Sequence, residues 1–245
     1  MPKQDGLFAY EERYQILHAA GAIFWNDPRP NIHISKICKS LSLQAECIEF
    51  GCGEGNQARI LAAKGFSVTA IDLSPTVVAK AIKETPIELS VRFLVGDVTN
   101  AASLHIPAEH YDLAIDIGCL HMMADNEDRS NYLTFVYKIL RHGGRFLVQD
   151  GLDLNDIAPK SGEELNQIKE TSELMNKPSG FPILRKILTA TGEEEIMVPL
   201  CPSCKFPSLD DYIKEITSFG FRISSAEREK GVNYTYEAII LAVKP

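Results

Sequence analysis

Eleven residues constrain this chain most: Glu46-Cys-Ile-Glu-Phe-Gly-Cys-Gly-Glu-Gly-Asn56. A short apolar run, Cys47 to Phe50, is cut off by glycines at alternate positions, Gly51, Gly53 and Gly55, and an amphipathic segment begins at once. That order predicts a strand, a tight turn and the start of a helix. Glycine suits such a turn because it adopts backbone angles that side chains disfavour. It also lets the backbone approach a group bound beyond the strand's end. A tight connection with no ligand is the plain alternative.

The rest of the chain supplies a setting. Strand and helix patterns alternate from Cys47 to Val148. Gln57 to Lys64 follows the turn as a helix, and Ser67 to Leu73 is a strand rich in β-branched residues. Ser74-Pro75 opens a helix with a capping serine and a proline at its first position, with Val77, Val78, Ala81 and Ile82 on one stripe. Strands are expected at Val91 to Val95, Tyr111 to Ile117 and Arg145 to Val148. A long helix marked by Tyr132, Leu133, Val136, Ile139 and Leu140 is expected to end at Gly143-Gly144. Such repetition implies a parallel sheet covered on both faces. Before it, Phe8 to Trp25 and Ile32 to Leu43 read as helices separated by Asn26-Asp-Pro-Arg-Pro30. After it, residues 151–207 break the rhythm with a polar helix, Ser161 to Lys177, and a hairpin within Phe181 to Leu200. The last helix, Ser208 to Phe219, turns Leu209, Ile213, Ile216 and Phe219 inward, and strands follow at Arg222 to Ser225 and Tyr236 to Val243.

The glycine spacing discriminates between ligands. A dinucleotide turn, G-x-G-x-x-G, seats a pyrophosphate on a helix N-terminus, whereas here Glu54 stands between the last two glycines and suits a pyrophosphate poorly. Glu49-x-Gly51-x-Gly53-x-Gly55 resembles the first motif of the class I S-adenosylmethionine-dependent methyltransferases. Residues 46–150 and 208–245 share the family's pattern. The resemblance implies an α/β, Rossmann-like, doubly wound and mostly parallel seven-stranded sheet with an antiparallel C-terminal hairpin. It also implies one domain over 1–245: an N-terminal helical lid at 1–45, a cofactor-binding core at 46–150, a substrate-cap insertion at 151–207, and the core's last helix and hairpin at 208–245. The expected cofactor is S-adenosyl-L-methionine, bound at Glu49, Gly51, Cys52 and Gly53. An NAD-dependent oxidoreductase and a catalytically silent methyltransferase-like binding module are the competing readings.

Further acids stand where such a cofactor needs acceptors. Asp72 ends the second strand about twenty residues beyond the glycines, the place of a ribose-binding carboxylate. Gly96-Asp97-Val98 ends the third, and the resemblance assigns Asp97 to the adenine amine. Leu73, Asp116 and Ile117 complete the expected cofactor contacts. The fourth strand runs into Gly118-Cys-Leu-His-Met-Met123, which is similar to a hydrophobic-Leu-His segment of many small-molecule methyltransferases. It departs from the Asn/Asp-Pro-Pro-Tyr/Phe signature of enzymes acting on DNA bases and protein glutamines. His121 is the expected proton acceptor, because an imidazole titrates close to neutrality. Tyr10, Tyr14, Trp25, Asp150 and Arg185 are candidates for the lid and the substrate site, with Lys186 beside Arg185 on the insertion. Of Asp116, Asp150 and the nearby Asp153, only two positions match a magnesium-dependent pattern and only loosely, and Cys201 and Cys204 are half a zinc site without its other half, so no metal is expected. The two cysteines are expected to be ordinary loop thiols, or contacts for a soft substrate.

Composition narrows the partners. A net charge of -8 argues against a broad nucleic-acid-binding face, which needs clustered Lys and Arg. Six cysteines in 245 residues form no disulfide framework of a small secreted domain, and no N-terminal stretch reads as a signal or a membrane span. The expectation is a cytoplasmic protein acting on a small-molecule methyl acceptor, with neither nucleic acid nor membrane as partner. The sequence leaves the acceptor atom and the oligomeric state open.

Overall fold

The computed structural model describes residues 2–25, 28–153, 161–204, 206–231 and 236–245. Helix α1 (Pro2–Ala19) stops before the expected Trp25, because Gly21 takes a positive φ of 74° and turns the chain. The following segment runs along a later hairpin instead. Of the expected breaker, Asn26 and Asp27 lie outside the described residues. Asn31 then caps α2 (Ile32–Cys38), its Oδ1 accepting the amides of His33 at 2.8 Å and Ile34 at 3.1 Å. This helix ends five residues before the expected Leu43.

The core follows as β1 (Glu46–Phe50), α3 (Asn56–Ala62), β2 (Ser67–Asp72), α4 (Pro75–Glu84), β3 (Val91–Val95), β4 (Tyr111–Ile117), α5 (Asn126–Ile139) and β5 (Leu140–Gly151). Only a 3-10 turn, Ala101–Ser103, is assigned between β3 and β4. Next come α6 (Gly162–Met175), the hairpin β6 (Pro182–Thr189) and β7 (Gly192–Pro199), and α7 (Leu209–Ser218), β8 (Arg222–Lys230) and β9 (Tyr236–Val243). One sheet has the order β3-β2-β1-β4-β5-β9-β8, and β6 and β7 form a second. Strands β1 to β5 run parallel, while β9 is antiparallel to both β5 and β8. This is the expected Rossmann-like, doubly wound sheet with its antiparallel end.

Because β1 pairs with β2 on one side and β4 on the other, the strand order reverses there. The connections leave in opposite directions and open a crevice beyond the strands' carboxyl ends. Two apolar layers hold the sheet. One face packs Phe50, Ala114 and Val148 against Tyr132 and Val136 of α5 and Ile216 of α7. The other packs Val68, Leu113 and Leu147 against Ile34 of α2 and Leu61 of α3. A third cluster joins Tyr14 and Leu17 of α1, Val77 and Val78 of α4, and Ile183, Ile187 and Val198 of the hairpin.

Several local expectations change. Ile82 is 56% exposed, because the last turn of α4 lies over the sheet's β3 edge and turns that side chain outward. Helix α5 ends at Ile139 rather than at Gly143-Gly144. Tyr111 pairs with Leu140 and Leu113 with Arg145, so residues 141–144 bulge from β5, with Gly143 at a φ of 76°. In α7 the wholly buried residues are Tyr212 and Ile216, whereas Leu209, Ile213 and Phe219 are half-buried. Tyr212 donates its hydroxyl to Gly151 O at 3.2 Å, which is why a tyrosine occupies that face.

Candidate active site

A cavity of about 1570 Å³ lies beyond the carboxyl ends of β1 to β4. Ligand pockets commonly measure ~300–1,000 Å³, so the space suits two molecules better than one. Its floor includes Gly51, Asp72, Leu73, Gly96, Asp97 and Val98, joined by Ile117 and the segment that carries His121. Tyr10, Tyr14 and Trp25 cover it from the N-terminal side, and Arg185 and Lys186 of β6 line another wall.

The turn explains its own glycines. Gly51 has a φ of 61°, and a Cβ there would stand 3.1 Å from Cys119 Cβ; one on Gly55, at 75°, would meet the Phe93 ring at 2.7 Å. The backbone is thereby pressed between Cys119, in the segment after β4, and Phe93 of β3, with Gly51 at the cavity. Gly53 does not line the cavity; its amide donates to Asp72 Oδ2 at 2.8 Å. The Ser74 amide donates to Oδ1 at 3.0 Å. Burial pushes the Asp72 carboxyl up and these amides oppose it, so the acid sits at the strand end with both oxygens oriented. Asp97 accepts through Oδ1 from the amide and hydroxyl of Thr99, at 2.8 and 2.6 Å.

Four other expected positions are set apart from the cavity wall, each by its own bonding. Glu49 is buried under the turn, where it accepts the Ala58 amide and where burial pushes its carboxyl up to about 8. Its Oε2 has no hydrogen-bond partner among the described residues. The Cys52 amide donates to Ile71 O at 3.0 Å, and its thiol is buried. Asp116 accepts the amides of Cys119 at 2.8 Å and Leu120 at 3.3 Å through Oδ1, and the Tyr132 hydroxyl through Oδ2 at 2.6 Å. Burial, then the nearby Asp150 charge, push Asp116 up to about 7. Asp150 itself, expected near the substrate, is 0% exposed and turned toward His121. Oxygen Oδ1 lies 2.6 Å from His121 Nδ1, and Oδ2 accepts the His121 amide at 2.9 Å.

Glu54, the acid between the glycines, has a role that spacing did not reveal. Its Oε2 accepts the Trp25 amide at 3.0 Å and its Oε1 pairs with Lys80 of α4 at 2.8 Å. Glu11 of α1 likewise accepts the hydroxyl of Ser74 at 2.6 Å and that of Thr76. Burial opposes its ionisation, but those donors hold its carboxyl below the usual range. Tyr10 donates to Pro202 O at 2.7 Å and Met122 O at 3.3 Å, and Arg13 donates to Pro199 O at 3.1 Å while lying over the Trp25 ring. Helix α1 is therefore tied to α4 and the 199–202 segment. These are long-range contacts with no motif to announce them. Burial pushes the thiols of Cys201 and Cys204 up to about 12 and about 11, so both are protonated at neutral pH and unlike a redox pair. Among the described residues no group of three or more His, Cys, Asp or Glu side chains could hold a metal ion.

With that geometry in hand, known proteins are informative. Residues 48–148 match a family described as a methyltransferase domain. An uncharacterized methyltransferase of Schizosaccharomyces pombe is 36% identical over 91 residues, which are 37% of this chain and 60% of that protein. The 2-methyl-6-phytyl-1,4-hydroquinone methyltransferase of Synechocystis is 31% identical over 104 residues, 42% of this chain and 31% of that one. The crystal structure of an S-adenosylmethionine-dependent methyltransferase from Methanosarcina mazei superposes with a TM-score of 0.61 at 20% identity, covering 88% of this chain and 99% of its own. Its likeness is one of fold. The matched segment contains the glycine turn, Asp72, Asp97 and His121; α1, the hairpin and α7 lie outside the matched residues. Among the described residues no helix is long and apolar enough to cross a membrane.

Proposed function

We propose that the chain is an S-adenosylmethionine-dependent methyltransferase acting on a small-molecule acceptor. The observation that carries this reading is the arrangement of Gly51, Asp72 and Asp97 along one cavity at the switch point of the sheet. The matched family and the hydroquinone methyltransferase among the relatives support it.

The residues fit the cofactor. The Gly53 and Ser74 amides hold Asp72 through its two oxygens, the Leu73 amide also favours the ionised carboxylate, and a carboxylate's several lone pairs leave it able to accept a ribose hydroxyl. Asp97 is engaged through Oδ1, and its carboxylate can accept an adenine amine. Gly51 keeps the wall open for the methionine part, and Leu73, Val98 and Ile117 offer apolar surface to the adenosine. When bound, S-adenosylmethionine supplies an electrophilic methyl group for in-line displacement. The chain's part is then to align, to exclude water and to accept a proton. Residues 1–45 act as a lid and 151–207 as a cap, with Tyr14, Trp25 and Arg185 facing the acceptor space. His121 removes the acceptor's proton.

Titration calorimetry with S-adenosylhomocysteine, beside NAD and beside Asp72→Ala, tests the assignment. Micromolar binding that the variant weakens about 10- to 100-fold is expected, the scale of losing hydrogen bonds to a charged group. Wild-type protein that is folded but binds NAD in preference would sink the proposal.

A further inference from the structure

We propose that Asp150 is a positioning residue: it holds the His121 ring in the Nδ1–H tautomer, so that Nε2 accepts the proton of a methyl acceptor bearing a weakly acidic O–H or N–H. This rests on the methyltransferase reading for its reaction.

The pair arises from two neighbouring parallel strands. His121 follows β4 in the turn Leu120–Met122, and Asp150 is the penultimate residue of β5. Both are buried, at 4% and 0% exposure. One carboxylate grips both the backbone and the ring of the same histidine: Oδ2 takes the His121 amide at 2.9 Å, and Oδ1 stands 2.6 Å from Nδ1. The Gly151 amide donates to Oδ1 at 2.8 Å and fixes the carboxylate's own rotation. At 2.6 Å the ring nitrogen and Oδ1 are in direct contact, although the ring as placed is poorly directed for a linear hydrogen bond. A buried carboxylate calls for a donor of this kind, because an uncompensated charge in the interior is costly.

The other polar groups packed around the pair have their own partners. Asp116 of β4 accepts from Tyr132 and two amides. Arg129 of α5 is paired with Glu215 at 2.5 Å and gives Nη1 to Leu120 O at 2.9 Å and to Cys204 Sγ at 3.3 Å. Tyr212 of α7 and Tyr10 of α1 bind backbone carbonyls. The Cys204 amide donates to His121 O at 2.7 Å, and the Phe206 ring lies 5.3 Å from the imidazole. Thus β5, β4, α5 and Cys204 fix the histidine's backbone, and the carboxylate selects the ring's tautomer. A neutral imidazole with its proton on Nδ1 accepts only at Nε2.

In the step this serves, the acceptor's heteroatom gives its proton to Nε2 and its electron pair to the methyl carbon. The methyl–sulfur pair returns to sulfur, leaving a neutral thioether. The imidazolium and Asp150 then form an ion pair until the proton leaves for solvent. An acceptor with no proton to lose has no use for this pair.

The tautomer can be read without turnover. Long-range 1H–15N correlation on the full chain with 15N-labelled histidine, at about pH 9 where an imidazole is ordinarily neutral, separates Nδ1–H from Nε2–H rings. The resonance lost in His121→Gln assigns the site. Wild type is expected as Nδ1–H by at least about tenfold. In Asp150→Asn, whose amide sets a donor against the ring, the ratio is expected to reverse, as happens when a carboxylate orienting a catalytic histidine is replaced by its amide. An Nε2–H ring in wild type overturns the inference, even where Asp150→Asn fails to fold. So does a folded Asp150→Asn whose ring remains Nδ1–H. If S-adenosylhomocysteine fails to bind while the ring is Nδ1–H, it is the methyltransferase reading that falls; if it binds and the ring is Nε2–H, only the present inference does.

Discussion

The carboxyl of Glu49 makes the protein's stability fall with rising pH, and Glu49→Gln removes that fall. In the folded chain burial pushes this carboxyl to about 8, from an ordinary value of 4.5, with the Ala58 amide opposing. Below pH 4.5 the side chain is neutral in both states and costs nothing. Between pH 4.5 and about 8 the unfolded chain has released the proton and the folded chain keeps it, so each pH unit costs about 1.36 kcal/mol of stability. Across the whole window the loss is about 5 kcal/mol, comparable with the total stability of many domains. Above pH 8 both states are ionised and the penalty stays at its full size. Asp116 adds its own decline up to about pH 7, but in wild type and variant alike, so their difference isolates Glu49. The assay is urea unfolding of both proteins at constant ionic strength from pH 5 to pH 9. The curves should start close together at pH 5 and diverge, with the glutamine variant ahead by about 5 kcal/mol at pH 9. Parallel curves, offset by the same amount at every pH, would show that Glu49 is solvated or paired when ionised and would refute the reasoning.

Other perturbations test other parts. Gly51→Ala strains a φ of 61° and drives a methyl toward Cys119 at 3.1 Å; a loss of about 1–3 kcal/mol in urea unfolding is expected, with weaker S-adenosylhomocysteine binding by calorimetry. Tyr132→Phe removes a donor from the buried Asp116 carboxylate, so its carboxyl rises further, and stability should drop by about 1–3 kcal/mol at pH 8 but little at pH 5. Glu11→Gln loosens α1 from Ser74 and Thr76; stopped-flow release of S-adenosylhomocysteine should quicken severalfold while the melting temperature moves by only a few degrees. Val78→Ala should cost about 1–3 kcal/mol and Ile82→Ala under about 0.5, the reverse of what one apolar stripe implies.

What could be read from the chain in advance followed from how local each signal is. The five parallel strands were legible because short β-branched runs between helical stretches have few other uses, and the turn was legible because Gly51 and Gly55 sit where a Cβ would collide. Asp72 follows from its distance to that turn, Asp97 from its place at the end of the third strand and from the family resemblance. The error at Gly143-Gly144 has a physical origin: two glycines after an apolar helix also suit a strand bulge, and only pairing with Tyr111 and Leu113 distinguishes the two. Ile82 misled because helical periodicity cannot tell where a helix overhangs its sheet. At the site, Asp116 and Asp150 looked alike as acids at adjacent strand ends, yet one serves the β4 turn and the other the histidine. Nothing in their spacing separates those roles, since side-chain direction at a strand's end depends on the turn that follows.

One apolar cluster beside the cavity joins the N-terminal helix to the hairpin. Val77 and Val78 of α4 share one apolar cluster with Tyr14 and Leu17 of α1 and with Ile183, Ile187 and Val198 of the hairpin. Helix α4 is also the element that begins at Ser74, whose amide orients Asp72 and whose hydroxyl binds Glu11. Glu54 ties the glycine turn to Trp25 and Lys80 in the same way. A displacement of α1 therefore cannot open the space beside the hairpin without disturbing the groups that orient Asp72 and the glycine turn. Under the proposed function, the acceptor wall and the cofactor floor are set by one cluster. Substitutions at Ile187 or Val198, which are not among the expected cofactor residues, should then alter cofactor affinity as well as acceptor selection. Calorimetry on Ile187→Ala with S-adenosylhomocysteine decides it: unchanged affinity in a folded variant would mean that the hairpin shapes the acceptor side alone.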